Sequence, residues 1–306
     1  MNRSSPLRIG TRGSPLALAQ TEIVRGLLAA AHGDLAFEIV TIRTSGERIL
    51  DRPLADAGGK GLFTKEIDEA LVAGRIDLAV HSAKDVPTVL APGIRLAAFP
   101  PREDARDVLV SAKANSLEGL AAGAVVGTSA IRRQALVKRL RPDVAVKLLR
   151  GNVETRLNKV TAGEFDAAVL ALAGLRRLGL ESHVRAPLDP AVFPPSVGQG
   201  AIAIAIRDGD AKMERLVAAI DHAPTSIALA AERAFLAALD GSCRAPIAGH
   251  ATINGERLAF YGLVIAPDGT GAVETAREGA ITDAVALGRD AGEELRARAP
   301  AGVLDG

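Results

Sequence analysis

The amino-acid sequence predicts an α/β protein built on parallel-rich sheets with helices on both faces, followed by a small α+β segment. Three observations carry that reading. Short β-rich runs alternate with helical patterns over the first two thirds of the chain. Two stretches rich in Pro and charge, FPPREDARD at residues 99–107 and VRAPLDPAVFPPSVGQG at 184–200, interrupt the alternation as domain crossovers do. From about residue 223 the pattern changes to one helical run and then to alternating segments with N-G and D-G hairpin signals.

Taken in order, LRIGT opens the first sheet. PLALAQTEIVRGLLAAA follows as a helix, with Ser14 as N-cap and Pro15 at the first helical position, where its missing N–H is no loss. FEIVTIRT and IDLAVHS are further strands, separated by the helical GLFTKEIDEALVAG. In the middle of the chain AVVGTS, VAVKLLR and DAAVLALAG read as strands, and AIRRQALVKRL and VETRLNKVTAG as helices. AIAIAIR, after the second crossover, is a buried-strand pattern able to return to the first sheet. The expected organisation is a discontinuous first domain of residues 1–100 and 200–218, a middle domain of 106–194, and a third of 223–306 that begins with the helix SIALAAERAFLAALDG. No internal repeat stands out.

Composition narrows the function classes. The chain has 306 residues, enough for two or three domains each with its own core, and its 48% hydrophobic and 24% charged content is that of a globular protein. No run approaches the roughly 20 uncharged apolar residues of a membrane span, and the first residues lack the apolar core of a secretory signal, so a cytoplasmic protein without membrane contact is expected. A net charge of +1 argues against nucleic acid as partner. The single cysteine, Cys243, excludes an internal disulfide and a multi-thiolate metal site, and no metal is expected. Arginines outnumber lysines 29 to 8. A G- and C-rich genome gives the same bias, so the positions of the arginines have to decide.

Those positions favour anion binding. In G-T-R-G-S-P, Arg12 precedes the Ser14 cap, so one carboxylate can meet both a guanidinium fork and a helix N-terminus. G-T-S-A-I-R-R repeats the arrangement, with Thr128 and Ser129 at the strand end and Arg132 and Arg133 opening the helix. Arginine there opposes the macrodipole, so local stability does not explain it, whereas a bound anion does. Arg150 ends another strand before Gly151 and the N-cap Asn152, with Arg156 one turn into the helix, and Arg176 and Arg177 follow a further strand. Ligands of open α/β sheets bind at such carboxyl ends. IDLAVHSAKDVP differs: it delivers His81, Ser82, Lys84 and Asp85 in succession. An acid beside arginines repels an anion, which suggests chemistry on a cationic group; a Lys84–Asp85 surface pair is the plain alternative. Lys60 lies in a Gly-rich loop that fits neither the P-loop nor the dinucleotide fingerprint. Cys243, just past a helix that Gly241 can terminate, reads equally as a small buried hydrophobe or a nucleophile. His250 reads as a strand or core histidine.

The runs RIGTRGSPLALAQ, GGKGLFTKEID, AVHSAKDVP, GTSAIRRQ, LRGNVETRL, LAGLRRLGL, VGQGA and GSCRAPIAGHA, in this order over residues 8 to about 250, together resemble the porphobilinogen deaminase family. The resemblance implies a transferase of haem and porphyrin biosynthesis that joins four porphobilinogen units head to tail with loss of ammonia, then releases the linear hydroxymethylbilane by hydrolysis. It implies a dipyrromethane cofactor held through a thioether by Cys243, and Asp85 as the catalytic carboxylate that assists departure of the aminomethyl nitrogen and stabilises the azafulvene-type cation. Lys84, Ser129, Arg132, Arg133 and Gly151 would contact the cofactor; Arg12, Ser14, Lys60, Thr128, Arg150, Arg156, Arg177 and Gln199 would bind substrate. Arg176 would face solvent. The chain departs from the family pattern at Asp56, where a lysine is common, and Arg244 lies in a variable stretch; these bear on loop contacts to substrate, not on Asp85 or Cys243. The fold implied is two domains like those of type II periplasmic binding proteins with a central cleft, plus the small cysteine-bearing domain, in a monomer with no obligatory protein partner. Closure would need hinge motion at the crossovers, which unchanged hydrogen exchange at 99–107 and 195–201 on substrate loading would contradict. The alternatives are a non-catalytic anion binder of the periplasmic type, the effector half of a transcription regulator, and a cysteine-nucleophile hydrolase.

Overall fold

The computed structural model of the chain describes residues 5–33, 35–48, 61–240, 245–300 and 302–304. In chain order they form β1 (Leu7–Thr11), α1 (Pro15–His32), β2 (Phe37–Thr41), α2 (Ser45–Arg48), α3 (Lys65–Val72), β3 (Leu78–Ser82) and β4 (Ile94–Ala98). There follow β5 (Asp107–Ser111), β6 (Val125–Thr128), α4 (Ile131–Leu140), β7 (Ala145–Leu148), α5 (Val153–Thr161), β8 (Ala167–Ala171), α6 (Leu172–Arg177) and β9 (Ala186–Pro187). The chain ends with β10 (Ile202–Arg207), α7 (Ala211–Ala218), α8 (Ala223–Ala238), the strands β11 (Ile247–Asn254), β12 (Arg257–Val264) and β13 (Val273–Ala280), and α9 (Ala284–Arg298). Among the described residues no helix is long and apolar enough to cross a membrane.

Two compact units result. The first holds the described residues up to 103 and those of 201–226. Its sheet has the order β2-β1-β3-β10-β4, with β1 parallel to β2 and β3, and β10 antiparallel to both β3 and β4. Leu7 and Ile9 of β1, Leu78 and Val80 of β3 and the alternate isoleucines of β10 bury one face under Val24 and Leu28 of α1 and Met213 and Val217 of α7. Ile67 and Leu71 of α3 cover the other with Ala79 and Ala205. Helices thus lie on both sheet faces, as the alternation predicts.

The second unit holds residues 104–200 and the described residues after 226. Its five-stranded sheet has the order β7-β6-β8-β5-β9, with β6 parallel to β7 and β8, and β5 antiparallel to β8 and β9. The two five-stranded sheets therefore have the same topology: three parallel strands, one antiparallel strand, one edge strand. The repeat is one of fold and not of sequence, and each sheet is parallel-rich, with β10 in the first and β5 in the second running antiparallel to its neighbours. Strands β5 and β10 enter their sheets directly from the two crossovers, so neither is bound by the helical return that parallel neighbours require.

The C-terminal residues make the antiparallel meander β11-β12-β13, with α8 and α9 packed on it. Phe235 of α8, fully buried, meets Phe260 of β12 at 4.9 Å between ring centroids. A Cβ on Gly288 of α9 would lie 2.0 Å from the Ala231 carbonyl oxygen, so a glycine is what lets α9 rest on the backbone of α8. Ala248, Leu263 and Ile265 of this segment join Leu109, Val126, Leu136 and Phe193 in one core. The expected middle and C-terminal segments accordingly share a hydrophobic interior within one unit.

Candidate functional site

In the first unit, two neighbouring parallel strands deliver the polar residues to one place. After β1 the chain turns through Arg12 to Ser14, which is extended (φ −71°, ψ 148°) and accepts a hydrogen bond from the Ala17 N–H at 3.3 Å, with Pro15 opening α1. The Ser14 hydroxyl thereby caps the helix. After β3 the chain makes a single 3₁₀ turn over Ala83–Asp85, pinned by the Ala83 N–H donating to the Ala201 carbonyl at 3.0 Å. Across the pocket between them, Nη1 of Arg12 is 3.5 Å from Oδ2 of Asp85. The Arg12 guanidinium also sits 4.4 Å from the centroid of the Phe63 ring, a cation–π contact that holds it in place. Lys84, Ser82, His81 and Gln20 complete the wall. Gln20, itself buried, donates from Nε2 to the Ser82 hydroxyl at 3.0 Å and so ties α1 to the end of β3.

His81 is buried. Desolvation, and then the Arg12 charge, push its pKa down from the usual 6.5 to about 4, so the imidazole is neutral at physiological pH. A base whose folded pKa is depressed destabilises the fold when the unfolded chain takes up a proton that the folded one does not. Its contribution is complete above pH 6.5 and falls as pH drops toward 4, by on the order of 3 kcal/mol at about 1.4 kcal/mol per unit. Asp68, raised to about 6 by burial, works in the opposite sense over the same range. The difference between wild type and His81→Asn isolates the histidine. The urea midpoint of the wild type is expected to fall more between pH 7 and pH 4.5 than that of His81→Asn; equal falls would contradict the assignment.

In the second unit arginine-bearing segments follow the carboxyl ends of β6 and β7, whereas Arg176 and Arg177 lie in the last turn of α6, which follows β8. Arg132 and Arg133, on the first turn of α4, are 5% and 6% exposed and converge on Asp107, which is fully buried at the start of β5. Nη2 of Arg132 donates to Oδ2 of Asp107 at 2.6 Å, and Nε of Arg133 to Oδ1 at 3.0 Å. Gln199 donates from Nε2 to the same Oδ1 at 2.9 Å and to the Ala105 carbonyl at 2.7 Å. Burial alone would raise the Asp107 carboxyl, but the two guanidiniums hold it below the usual carboxylate range. The anion that sequence reasoning required at this helix start is therefore supplied, in part, by the chain itself. Asp107 was hidden inside the charge run of the first crossover, and nothing in REDARD marks it as buried.

Of the other predicted residues, Thr128, Ser129, Arg150 and Gly151 lie at or just past the ends of β6 and β7, Arg156 lies in α5, and Arg177 ends α6. Thr128 is buried, its hydroxyl accepting from the Ala130 N–H at 3.2 Å, and Ser129 follows it, half-buried. Arg150 is half-buried after β7. Gly151 has φ 118°, and a Cβ there would fall 2.7 Å from the Thr155 side chain, so this turn needs glycine. Asn152 caps α5 by accepting from the Thr155 N–H at 2.8 Å, and Nε of Arg156 donates back to the Gly151 carbonyl at 2.8 Å. Arg177 donates to the Gly200 carbonyl at 2.6 Å, while its neighbour Arg176 is exposed and bonded to Glu181 at 2.9 Å. His250 is a half-buried strand residue of β11. Lys60, Asp56, Cys243 and Arg244 lie outside the described residues.

The family model described as "Porphobilinogen deaminase, dipyromethane cofactor binding domain" matches residues 7–215, and that of the porphobilinogen deaminase C-terminal domain matches residues 226–297. The chain belongs to the porphobilinogen deaminase family. Porphobilinogen deaminases of Nitrobacter hamburgensis and Nitrobacter winogradskyi are each 60% identical to it over 293 residues, 95% of this chain and 93% of theirs. Among solved structures it is similar to the periplasmic VFT2 domain of BvgS from Bordetella pertussis (TM-score 0.43, 18% identity, 70% of this chain and 86% of that one). It is also similar to a periplasmic substrate-binding protein of an ABC transporter from Coxiella burnetii (TM-score 0.44, 16% identity, 70% and 91%). The chemistry of the donors is compatible with the carboxylates of this deaminase family's cofactor: Lys84 lines the pocket of the first unit, and in the second unit Arg132 and Arg133 share the single carboxylate of Asp107.

Proposed function

We propose that the chain is a porphobilinogen deaminase, acting in the cytoplasm as a monomer. It would join four porphobilinogen molecules head to tail, release four molecules of ammonia, and free the linear hydroxymethylbilane with one water. The observation that carries this reading is the Asp85 carboxylate held 3.5 Å from Arg12 in a pocket at the carboxyl ends of β1 and β3, within a chain of this family. A non-catalytic anion binder has no use for that acid, since it repels an anion.

Arg12, Arg150, Arg156 and Arg177 would supply cations for the acetate and propionate of the incoming pyrrole, as would Lys60, and Ser14, Thr128 and Gln199 would bind it with them. Arg132 and Arg133, with Lys84, Ser129 and the Gly151 turn, would hold the carboxylates of the cofactor, which Cys243 binds through a thioether. When bound, that group supplies the pyrrole carbon from which the product grows. Asp85 faces the cationic aminomethyl group of the substrate. Its carboxylate assists protonation and departure of the nitrogen as ammonia, and then balances the electron-poor carbon left behind until the neighbouring pyrrole attacks it. The neutral His81 adds no positive charge to this wall, which leaves the field at the reacting carbon to Asp85, Arg12 and Lys84.

Incubation of the purified protein with porphobilinogen tests the reading. Four ammonia released per hydroxymethylbilane formed is the expected result. Retention of porphobilinogen without ammonia release would replace the enzyme with a binding protein.

A further inference from the structure

The Asp107 cluster has a charge count that the substrate reading leaves unused. Arg132 and Arg133 bring two positive charges into the interior, and Asp107 returns one negative charge. Among the described residues their other partners are neutral: the Pro194 carbonyl for Arg132 at 2.6 Å, and the Val169 carbonyl and the Gln199 amide oxygen for Arg133 at 3.1 and 3.3 Å. A buried net charge of one is costly unless another counter-ion joins it. The geometry is as specific as the count. Each oxygen of Asp107 takes one arginine, Oδ2 Arg132 and Oδ1 Arg133, so the carboxylate sets the distance between the two guanidiniums. Through Gln199, which bonds both Oδ1 and the Ala105 carbonyl, it also ties the two crossovers together beside the pair.

We infer that Asp107 is a positioning residue for the cofactor: it fixes the spacing of Arg132 and Arg133 and restricts them to one further carboxylate, so that the pair grips a single acid side chain of the bound pyrroles. The inference rests on the reading of Arg132 and Arg133 as holders of the cofactor. Without Asp107 the pair is doubly charged and unspaced; with glutamate in its place the charge stays while the carboxylate moves by one methylene. Both changes disturb how the cofactor is seated without touching Asp85.

The full chain, produced free of cofactor as wild type, Asp107→Asn, Asp107→Glu and Arg133→Gln, is incubated with porphobilinogen. Intact-mass spectrometry follows the gain of two deaminated pyrrole units, and KM and kcat are then measured on the loaded protein. Loading slower by about tenfold or more is expected for Asp107→Asn, the scale for removing one partner of a buried charge pair, with a smaller slowing for Asp107→Glu and a rise in KM exceeding any fall in kcat. If the asparagine variant fails to fold, the glutamate variant, which keeps the buried charge, decides alone. Folded Asp107 variants that load at the wild-type rate with unchanged KM overturn the inference while Arg133→Gln still loads slowly. Normal loading by Arg133→Gln overturns the underlying reading of the arginine pair, and the inference with it.

Discussion

Asp85→Ala is expected to lower turnover of porphobilinogen by about 10³-fold, within the 10²- to 10⁴-fold range of a positioned acid or base, while leaving the protein folded and its cofactor attached. The fold should tolerate the change because Asp85 is about a third exposed and its ion pair with Arg12 is at 3.5 Å. Such partly solvated pairs contribute between nothing and about 1 kcal/mol. The turn that carries it is fixed by backbone bonds, the Ala83 N–H to the Ala201 carbonyl and the Val86 N–H to the Ala83 carbonyl, neither of which needs the side chain. The rate should not tolerate it, because among the described residues no other carboxylate lines the pocket. Arg12 would then face the departing nitrogen without its counter-charge, and the like charges would repel. Asp85→Glu, which keeps the charge one methylene further out, should retain more turnover than Asp85→Ala or Asp85→Asn. Steady-state turnover on cofactor-loaded protein checks this. Near-normal turnover by Asp85→Ala would remove Asp85 from the chemistry.

Much of the architecture was legible because its signals are local. Ser14 and Pro15 mark the start of α1, and the structure places a capped helix at that position. The unbroken apolar run of AIAIAIR is what a strand buried on both faces looks like, and β10 sits in the interior of the first sheet. The elements that escaped lack local signals. β5 begins with Asp107, and a fully buried aspartate reads as a loop residue until its two arginines are seen. α9 was missed because its glycines look like helix breakers; only the close approach to α8 explains Gly288. The shared topology of the two five-stranded sheets leaves no repeat in sequence because it requires only matching apolar patterns, which many residues satisfy.

The same division applies to the site. Arg12 and Asp85 were legible as unusual residues at strand ends, since an acid next to arginines and an arginine before a helix cap both run against local stability. Their mutual distance was not legible, because it depends on β1 and β3 being neighbours. Arg132 and Arg133 were legible as cations lacking a local reason, but the sequence alone assigned their whole charge to a ligand. The structure gives part of it to Asp107, 25 residues upstream of Arg132. Phe63 and Gln20 were not singled out, because an aromatic and an amide on amphipathic segments look like ordinary packing.

Replacing Cys243 by alanine is expected to abolish covalent loading and, with it, formation of the tetrapyrrole. It is the single thiol of the chain, so no second sulfur can take over the thioether. The arginine turns would remain, and a Cys243→Ala protein should still bind pyrrole carboxylates without being able to hold a growing chain through successive additions. The expected loss is therefore of processive product and not merely of rate, which separates this variant from Asp85→Ala, where the attached group stays and turnover falls. The intact mass of the purified protein, with and without Cys243, tests the central claim most directly. The account predicts an excess equal to two deaminated porphobilinogen units on the wild type and none on Cys243→Ala; an unmodified Cys243 after incubation with porphobilinogen would contradict it.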